Sequence, residues 1–296
     1  MTMRMKPILA LLFSALLCCA LAFPAAGEAG AASLSFPDLK AGFPEGTFLA
    51  QGEPAEITKT SYRDADIAIS ITSLRDEESK SDVYVADIKL ASPALLRRGF
   101  PLGKWKGEMR SLKTIAEDSG AILAMTGDYS ALLDVGLVVA NGKVYRKSEN
   151  RARDNCLILS DGRMLTYPRR EMIISEVLDD GIWQSFLFGP ALLNQGEAIT
   201  SFDAKIRPAN PRSAIGYYAP GHYCFVVVDG RSKANKGMTL TQLSAFMKNL
   251  GCQTAYNLDG GQSALMWFNG NIVNDPYHGG RRLMDIVYIG RPLKEE

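Results

Sequence analysis

Two aspartates, Asp229 and Asp259, each follow an apolar run directly and precede a glycine directly. The runs are Tyr223 to Val228 and Thr254 to Leu258. A carboxylate at the mouth of a buried strand can act as acid, base or nucleophile at a sugar centre, or bind a cation. The second stretch, Asn257-Leu258-Asp259-Gly260-Gly261-Gln262-Ser263, surrounds its acid with amides, a hydroxyl and two glycines. Glycine turns where a Cβ would clash and leaves room for a ligand. A third acid-bearing turn, Thr126-Gly127-Asp128-Tyr129, follows the apolar run Ala121 to Met125. Any one of these is, in isolation, an ordinary turn. Together they describe a polar, acidic site for an anionic sugar or a metal, and spacing does not choose between the two.

Arginine supplies the complementary charge. Arg212 sits in Asn210-Pro211-Arg212-Ser213-Ala214-Ile215-Gly216, and Arg281 follows Gly279-Gly280, four residues before Asp285. A guanidinium binds phosphate through two parallel hydrogen bonds and stays charged. Each arginine alone suits a surface ion pair better; the glycine and proline turns beside apolar runs raise the site reading. Arg153-Asp154-Asn155 is a weaker candidate. His222 and His278 are the only histidines and are read as structural or rim residues, since no Gly-x-Ser-x-Gly elbow accompanies them. No Cys/His spacing suits zinc, and no metal or other cofactor is expected.

The elements that must position these groups follow from pattern. Thr239, with Gln242 three residues on, is a capping-box start. Leu240, Leu243, Phe246, Met247 and Leu250 recur at helical spacing up to Gly251. Strand, helix and strand of this length predict a parallel, right-handed βαβ unit. Asp229 and Asp259 then leave one sheet edge, roughly 5 Å apart if their strands are neighbours and roughly 10 Å with one strand between. Ligands favour that edge in α/β sheets. Asn141-Gly142, Asp161-Gly162 and Asn269-Gly270 lie between apolar runs and predict tight hairpins. Strands are expected at Ile67 to Ile71 and Val83 to Leu90, as a hairpin. Helices are expected from Ser111 to Ser119 and from Glu171 to Asp180, and a loop at Pro93 to Gly103. The fold class is α+β: a mixed β-sheet with hairpins and a C-terminal βαβ unit around a polar cavity.

The chain has 296 residues, 47% of them hydrophobic, and a net charge of +1. It is long enough for a substantial core and lacks the basic excess of nucleic-acid binders. Arg4 and Lys6 precede an apolar run from Ile8 to Phe23, with small residues after it. This reads as a secretory signal, or an uncleaved membrane anchor, over 1–31. A linker over 32–60 and a main domain over 61–296 follow, and the expected location is extracytoplasmic. Apart from Cys18 and Cys19, the cysteines are Cys156, Cys224 and Cys252. Three is odd, so buried free thiols are expected, with a Cys224–Cys252 bridge as the alternative.

Four blocks in order carry a resemblance. They are Asn210 to Gly216, Phe225-Val226-Val227-Val228-Asp229-Gly230-Arg231, Gly237-Met238-Thr239-Leu240, and Asn257 to Ser263. They resemble the phosphodiester glycosidase family, which includes bacterial envelope proteins linked to exopolysaccharide. Arg281 to Asp285 looks like its closing segment, and the likeness is dense from about Ala121 onward. The resemblance implies hydrolysis of a sugar-1-phosphodiester at the anomeric C–O bond. The partner would be a carbohydrate phosphodiester or phosphorylated glycan. Carried onto matching positions, it implies Asp259 as the principal catalytic carboxylate, with Asp229 and Asp128 as further acids. Arg212, Ser213, Arg231, Asn257, Gly260, Gly261, Ser263, Arg281, Asp285, Thr126 and Gly127 would bind substrate. The sequence departs from the family at Thr126, where Asn is common, and at Tyr129-Ser130-Ala131-Leu132-Leu133, where a polar wall becomes apolar. The alternatives are therefore a non-catalytic glycan-binding protein and a metal-dependent phosphodiesterase.

Overall fold

The computed structural model describes residues 34–293. The targeting segment read at 1–31 lies outside the described residues. In chain order the strands and helices are β1 (Glu56–Ile57), β2 (Ser61–Arg63), β3 (Ile67–Asp76), β4 (Ser81–Leu90), β5 (Leu96–Gly99), α1 (Leu112–Asp118), β6 (Leu123–Thr126), β7 (Val138–Ala140), β8 (Lys143–Arg146), β9 (Asn155–Leu159), β10 (Met164–Tyr167), α2 (Ile174–Val177), β11 (Ile182–Phe186), β12 (Leu193–Asn194), β13 (Glu197–Ala198), β14 (Arg212–Ala219), β15 (His222–Val228), α3 (Leu240–Asn249), β16 (Thr254–Leu258), β17 (Met266–Phe268), β18 (Asn271–Ile272) and β19 (Ile286–Ile289).

A larger sheet runs β1-β2-β3-β4-β15-β14-β16, and a smaller one β18-β17-β6-β19-β5. One core joins them: Ile69, Ile88 and Phe225 from the larger sheet meet Met125, Met266 and Val287 from the smaller. β15 is buried on both faces, because Tyr223, Phe225 and Val227 enter this core while Cys224, Val226 and Val228 pack under α3. That double burial explains why it reads as a continuous apolar run rather than an alternating one. The Thr239/Gln242 capping box starts α3 as expected, and Leu240, Leu243 and Met247 form its buried stripe. On the outer face of the smaller sheet, α1 is capped by Ser111 and buries Leu112, Ile115 and Ala116. A third sheet, β10-β9-β11, shares a separate core with Leu137 and Val139.

The three glycine hairpins form: β7 with β8, β9 with β10, and β17 with β18. Asn141 and Asn269 adopt the positive φ that such tight turns require. The mixed sheet does not form. Among the described residues the fold is mostly β, with few helices, and its sheets are antiparallel. β15 and β16 do point the same way, but β14 lies between them, antiparallel to both. The cause is the short turn at Pro220-Gly221, which folds β14 back on β15. With β4 on its other side, β15 has no edge left for β16. Asp229 and Asp259 therefore share one sheet edge at the wider spacing, roughly 10 Å. Two smaller expectations also change. The loop read at Pro93 to Gly103 contains β5, and the helix read at Glu171 to Asp180 shrinks to α2 and one 3-10 turn.

Candidate active site at the seam of the two sheets

The end of β16 meets the end of β6, and so the larger sheet meets the smaller. The Asp259 amide donates to the Gly127 carbonyl at 3.1 Å, and the Gly127 amide donates to the Asp285 carbonyl at 3.2 Å. β6 pairs Thr126 with Ile286 of β19, which sets Asp285 beside Gly127. A side chain at 127 would overlap the Asp285 carboxylate. The two glycines after Asp259 have different duties. A Cβ on Gly260 would stand 2.7 Å from the Pro211 carbonyl oxygen, whereas Gly261 adopts φ +62. The first permits close approach and the second permits the turn.

Asp259 is 8% exposed. Arg281 donates one N–H to its Oδ2 at 3.0 Å and Nε–H to Ser263 Oγ at 2.6 Å. Burial raises the Asp259 pKa, against hydrogen bonds from Ser263 and Arg281 that lower it. The recess above the carboxylate is walled by Thr126, Tyr129, Asp285, Met109 and Leu132. Asn257 donates Nδ2–H to the Gly189 carbonyl at 2.8 Å. Its Oδ1 is buried without a partner, as is the Ser213 hydroxyl. An unpartnered buried oxygen carries a desolvation cost.

Two more arginines border the same turn. Arg231 donates Nε–H and an Nη–H to Asn210 Oδ1 at 3.0 and 2.8 Å. Its guanidinium lies flat against Gly261, 3.1 Å from where a Cβ would stand. Arg212 is buried and donates to the carbonyls of Met238, Ile206 and Pro208 at 2.8, 2.7 and 2.6 Å. Among the described residues no carboxylate pairs with Arg212 or Arg231. Burial, with Arg231 nearby, pulls the Arg212 pKa down to about 10.

The other acids are more firmly committed. Asp229 accepts from Asn274 Nδ2 at 2.8 Å and from the Asp275 amide at 3.0 Å, and burial raises its pKa. Asn274 also donates to the Ala264 carbonyl, so Asp229 braces the segment that follows Ser263. Asp128 is wholly buried, and does not share the exposed position of a turn residue. It accepts from Arg98 at 2.8 Å, from the Ser130 amide at 3.1 Å and from the Leu187 amide at 2.7 Å. Arg98 also donates to Asp285, whose Oδ1 accepts from the Tyr129 amide at 2.9 Å. Burial, helped by Asp128 and opposed by Arg98, pushes the Asp285 pKa up to about 6. Burial alone would lower the Arg98 pKa, but the two carboxylates outweigh it and raise it.

Sequence reasoning missed Arg98 and Asn274, and read Ser130 only as part of an apolar wall, whereas its hydroxyl accepts from Arg98. Arg98 lies in β5, a four-residue strand with two arginines, which has no apolar alternation to reveal it. His222 pairs with Asp87 at 2.6 Å, at the opposite end of β15 from Asp229. Among the described residues no group of three or more His, Cys, Asp and Glu side chains is arranged to hold a metal ion.

Several known proteins are similar to this chain. A Bacillus subtilis (strain 168) SPbeta prophage-derived uncharacterized protein, YomE, is 28% identical over 53% of this chain and 26% of its own length. Mouse N-acetylglucosamine-1-phosphodiester alpha-N-acetylglucosaminidase is 26% identical over 55% of this chain and 33% of its own length. The Bos taurus protein of the same name is 22% identical over 81% and 50%. The chain thus spans half or less of these relatives' length. Among solved structures, the zebrafish N-acetylglucosamine-1-phosphodiester alpha-N-acetylglucosaminidase catalytic domain, auto-inhibited by pro-peptide, has the same fold. The TM-score is 0.63 at 19% identity, covering 83% of this chain and 86% of that one. A hypothetical protein from Synechocystis follows at TM-score 0.52 and 14% identity, over 81% of this chain and 64% of that one. Residues 117–290, which include β6, the double-glycine turn and every arginine around it, match phosphodiester glycosidase, and the chain belongs to that family.

Proposed function

We propose that this chain hydrolyses the anomeric C–O bond of a sugar-1-phosphodiester, with Asp259 as the catalytic carboxylate. One observation carries the reading. The Arg231 and Arg281 guanidinium groups flank a single double-glycine turn, Arg212 touches it by its backbone, and Asp259 is the carboxylate that pairs with Arg281. Guanidinium groups match phosphate oxygens in charge and geometry. Arg231 is the stronger attractor, since its guanidinium lies against Gly261 and has no carboxylate partner among the described residues, whereas the buried Arg212 guanidinium is already held by the Met238, Ile206 and Pro208 carbonyls. Arg281 is half exposed, so its contact with Asp259 can be exchanged for one with substrate.

In the reaction the bond from the anomeric carbon to the phosphate oxygen breaks, and its electron pair stays on that oxygen. Water oxygen bonds to the carbon and gives up a proton. The phosphate monoester leaves as a weak base, so arginine can stabilise it without full protonation. Asp259 faces the oxocarbenium-like centre or takes the proton from water. Thr126, on the recess wall, and Ser263, beside Arg281, offer polar groups to sugar hydroxyls, while the buried Asn257 and Ser213 shape the strand ends behind them. Asp229, Asp285 and Asp128 act as positioning residues, because their oxygens already hold the loops that carry Ser263 and Tyr129.

Relatives named for N-acetylglucosamine-1-phosphodiester make that sugar the first substrate to try. The basic and apolar start of the sequence supports export, and so a cell-envelope or exopolysaccharide glycan as target. Replacing Asp259 by Asn should abolish sugar release from an activated sugar-1-phosphodiester while the fold survives. Hydrolysis in isotope-labelled water should leave the label in the sugar. Equal turnover by wild type and variant, or label in the phosphate, sinks the proposal. A binding role without turnover is favoured by one observation, the apolar Met109 and Leu132 on the recess wall. It requires saturable binding of the diester with no product.

A further inference from the structure

Arg153 takes no part in the contacts around Asp259. It lines a cleft of about 480 Å³ that shares Tyr129 with the Asp259 recess. The cleft floor continues into the site, because the Gly189 and Pro190 carbonyls that border it accept the side-chain and backbone N–H groups of Asn257.

Two features of the cleft point to a ligand. The first is aromatic: Tyr129 and Phe188 meet edge to face at 5.2 Å, and Phe202 also lines the cleft. Such rings offer flat apolar surfaces, which suit the C–H faces of a sugar. The second is charge. Arg153 is held by the Phe188 carbonyl at 2.9 Å, with its guanidinium 5.9 Å from that ring. The acids nearby are already committed. Asp154 accepts from the Arg169 and Ala191 amides at 2.9 Å each, and Asp203 pairs with Arg169 at 3.0 Å. Among the described residues, that leaves Arg153 and Lys205 without a carboxylate partner.

We infer that this cleft is a second subsite, and that it holds the neighbouring sugar-phosphate unit of an oligomeric substrate. Arg153 and Lys205 meet its phosphate, and Tyr129 and Phe188 meet its sugar. The ligand class is a phosphorylated oligosaccharide with at least two phosphodiester-linked units. The inference rests on the proposed reading of the Asp259 site.

The test compares a single sugar-1-phosphodiester with a trimer of the same unit. Wild type should show a KM about tenfold lower for the trimer, and Arg153→Ala with Lys205→Ala should remove that preference. Arg153→Lys, which keeps a donor, should restore part of it. Equal KM values in wild type, or a parallel loss on both substrates in the double variant, overturn the subsite. If neither compound is cleaved, the proposed hydrolysis fails and calorimetric titration with the trimer decides the subsite alone. Binding that weakens about tenfold in the double variant upholds it, and no binding overturns it.

Discussion

Two aspartate–arginine pairs border one recess and differ in their access to water. Asp285 and Arg98 are enclosed, with side chains 3% and 0% exposed; Asp259 faces Arg281, which is 46% exposed. Arg98 is fixed from several directions, donating to Asp128, Ser130 and the Ser185 carbonyl besides Asp285. Among the described residues Arg281 has Ser263 and Asp259 only. Breaking a buried pair strands a charge, whereas an exposed pair is worth little to stability. Identical side-chain chemistry thus gives scaffold on one wall and an exchangeable contact on the other, and solvent decides which.

The largest expected effect tests that contrast directly. Arg98→Met leaves Asp128 and Asp285 side by side without their cation and should cost about 3–5 kcal/mol in urea denaturation. Arg281→Met should cost less, about 1–2 kcal/mol, because Asp259 is largely buried but water reaches the pair from the Arg281 side. Similar losses would break the comparison.

A smaller effect lies in the pH profile. Asp285 titrates at about 6 in the folded protein and near about 3.9 when unfolded. Between those values the native state binds more protons than the unfolded state, so stability falls as pH rises from about 4 to about 6. Asp259 and Asp229, whose pKa values burial also raises, act in the same direction. Asp285→Asn keeps Arg98 neutralised by Asp128 and should flatten the slope without abolishing it. An unchanged slope would assign the titration elsewhere.

The smallest effect sharpens the open side. Ser263→Ala removes one acceptor from Arg281 but leaves its contact with Asp259, so activity on a sugar-1-phosphodiester should fall about tenfold, or about 1.4 kcal/mol. A loss as large as that of Asp259→Asn would mean that Ser263 does more than orient Arg281.

Local signals in the sequence were readable wherever one residue type sets a backbone state. Asn141-Gly142 and Asn269-Gly270 specify tight hairpins, and Thr239 with Gln242 specifies the start of α3. The acid-bearing turns at Asp229 and Asp259 also end their strands where the apolar runs stop. Strand order was harder to read, because it depends on competition between distant segments. Pro220-Gly221 closes the β14–β15 hairpin before β16 is reached in the chain, which fills the position a parallel neighbour would need. Burial of a charge was harder still. Arg98 resembles any surface arginine until Asp128 and Asp285, from two other elements, close around it.

The hydrogen bond from the Asp259 amide to the Gly127 carbonyl joins the two sheets directly beneath the recess. If the proposed reading holds, a glycan bound at this seam would touch side chains from both sheets and work as a removable cross-link. Such a ligand would bind the folded chain and not the unfolded one, and at a hundred times its Kd it would add about 2.7 kcal/mol of stability. For a chain of this size that is a rise in Tm of about 4–5 °C. Melting curves against a panel of sugar phosphates can therefore identify the sugar even where no turnover is seen.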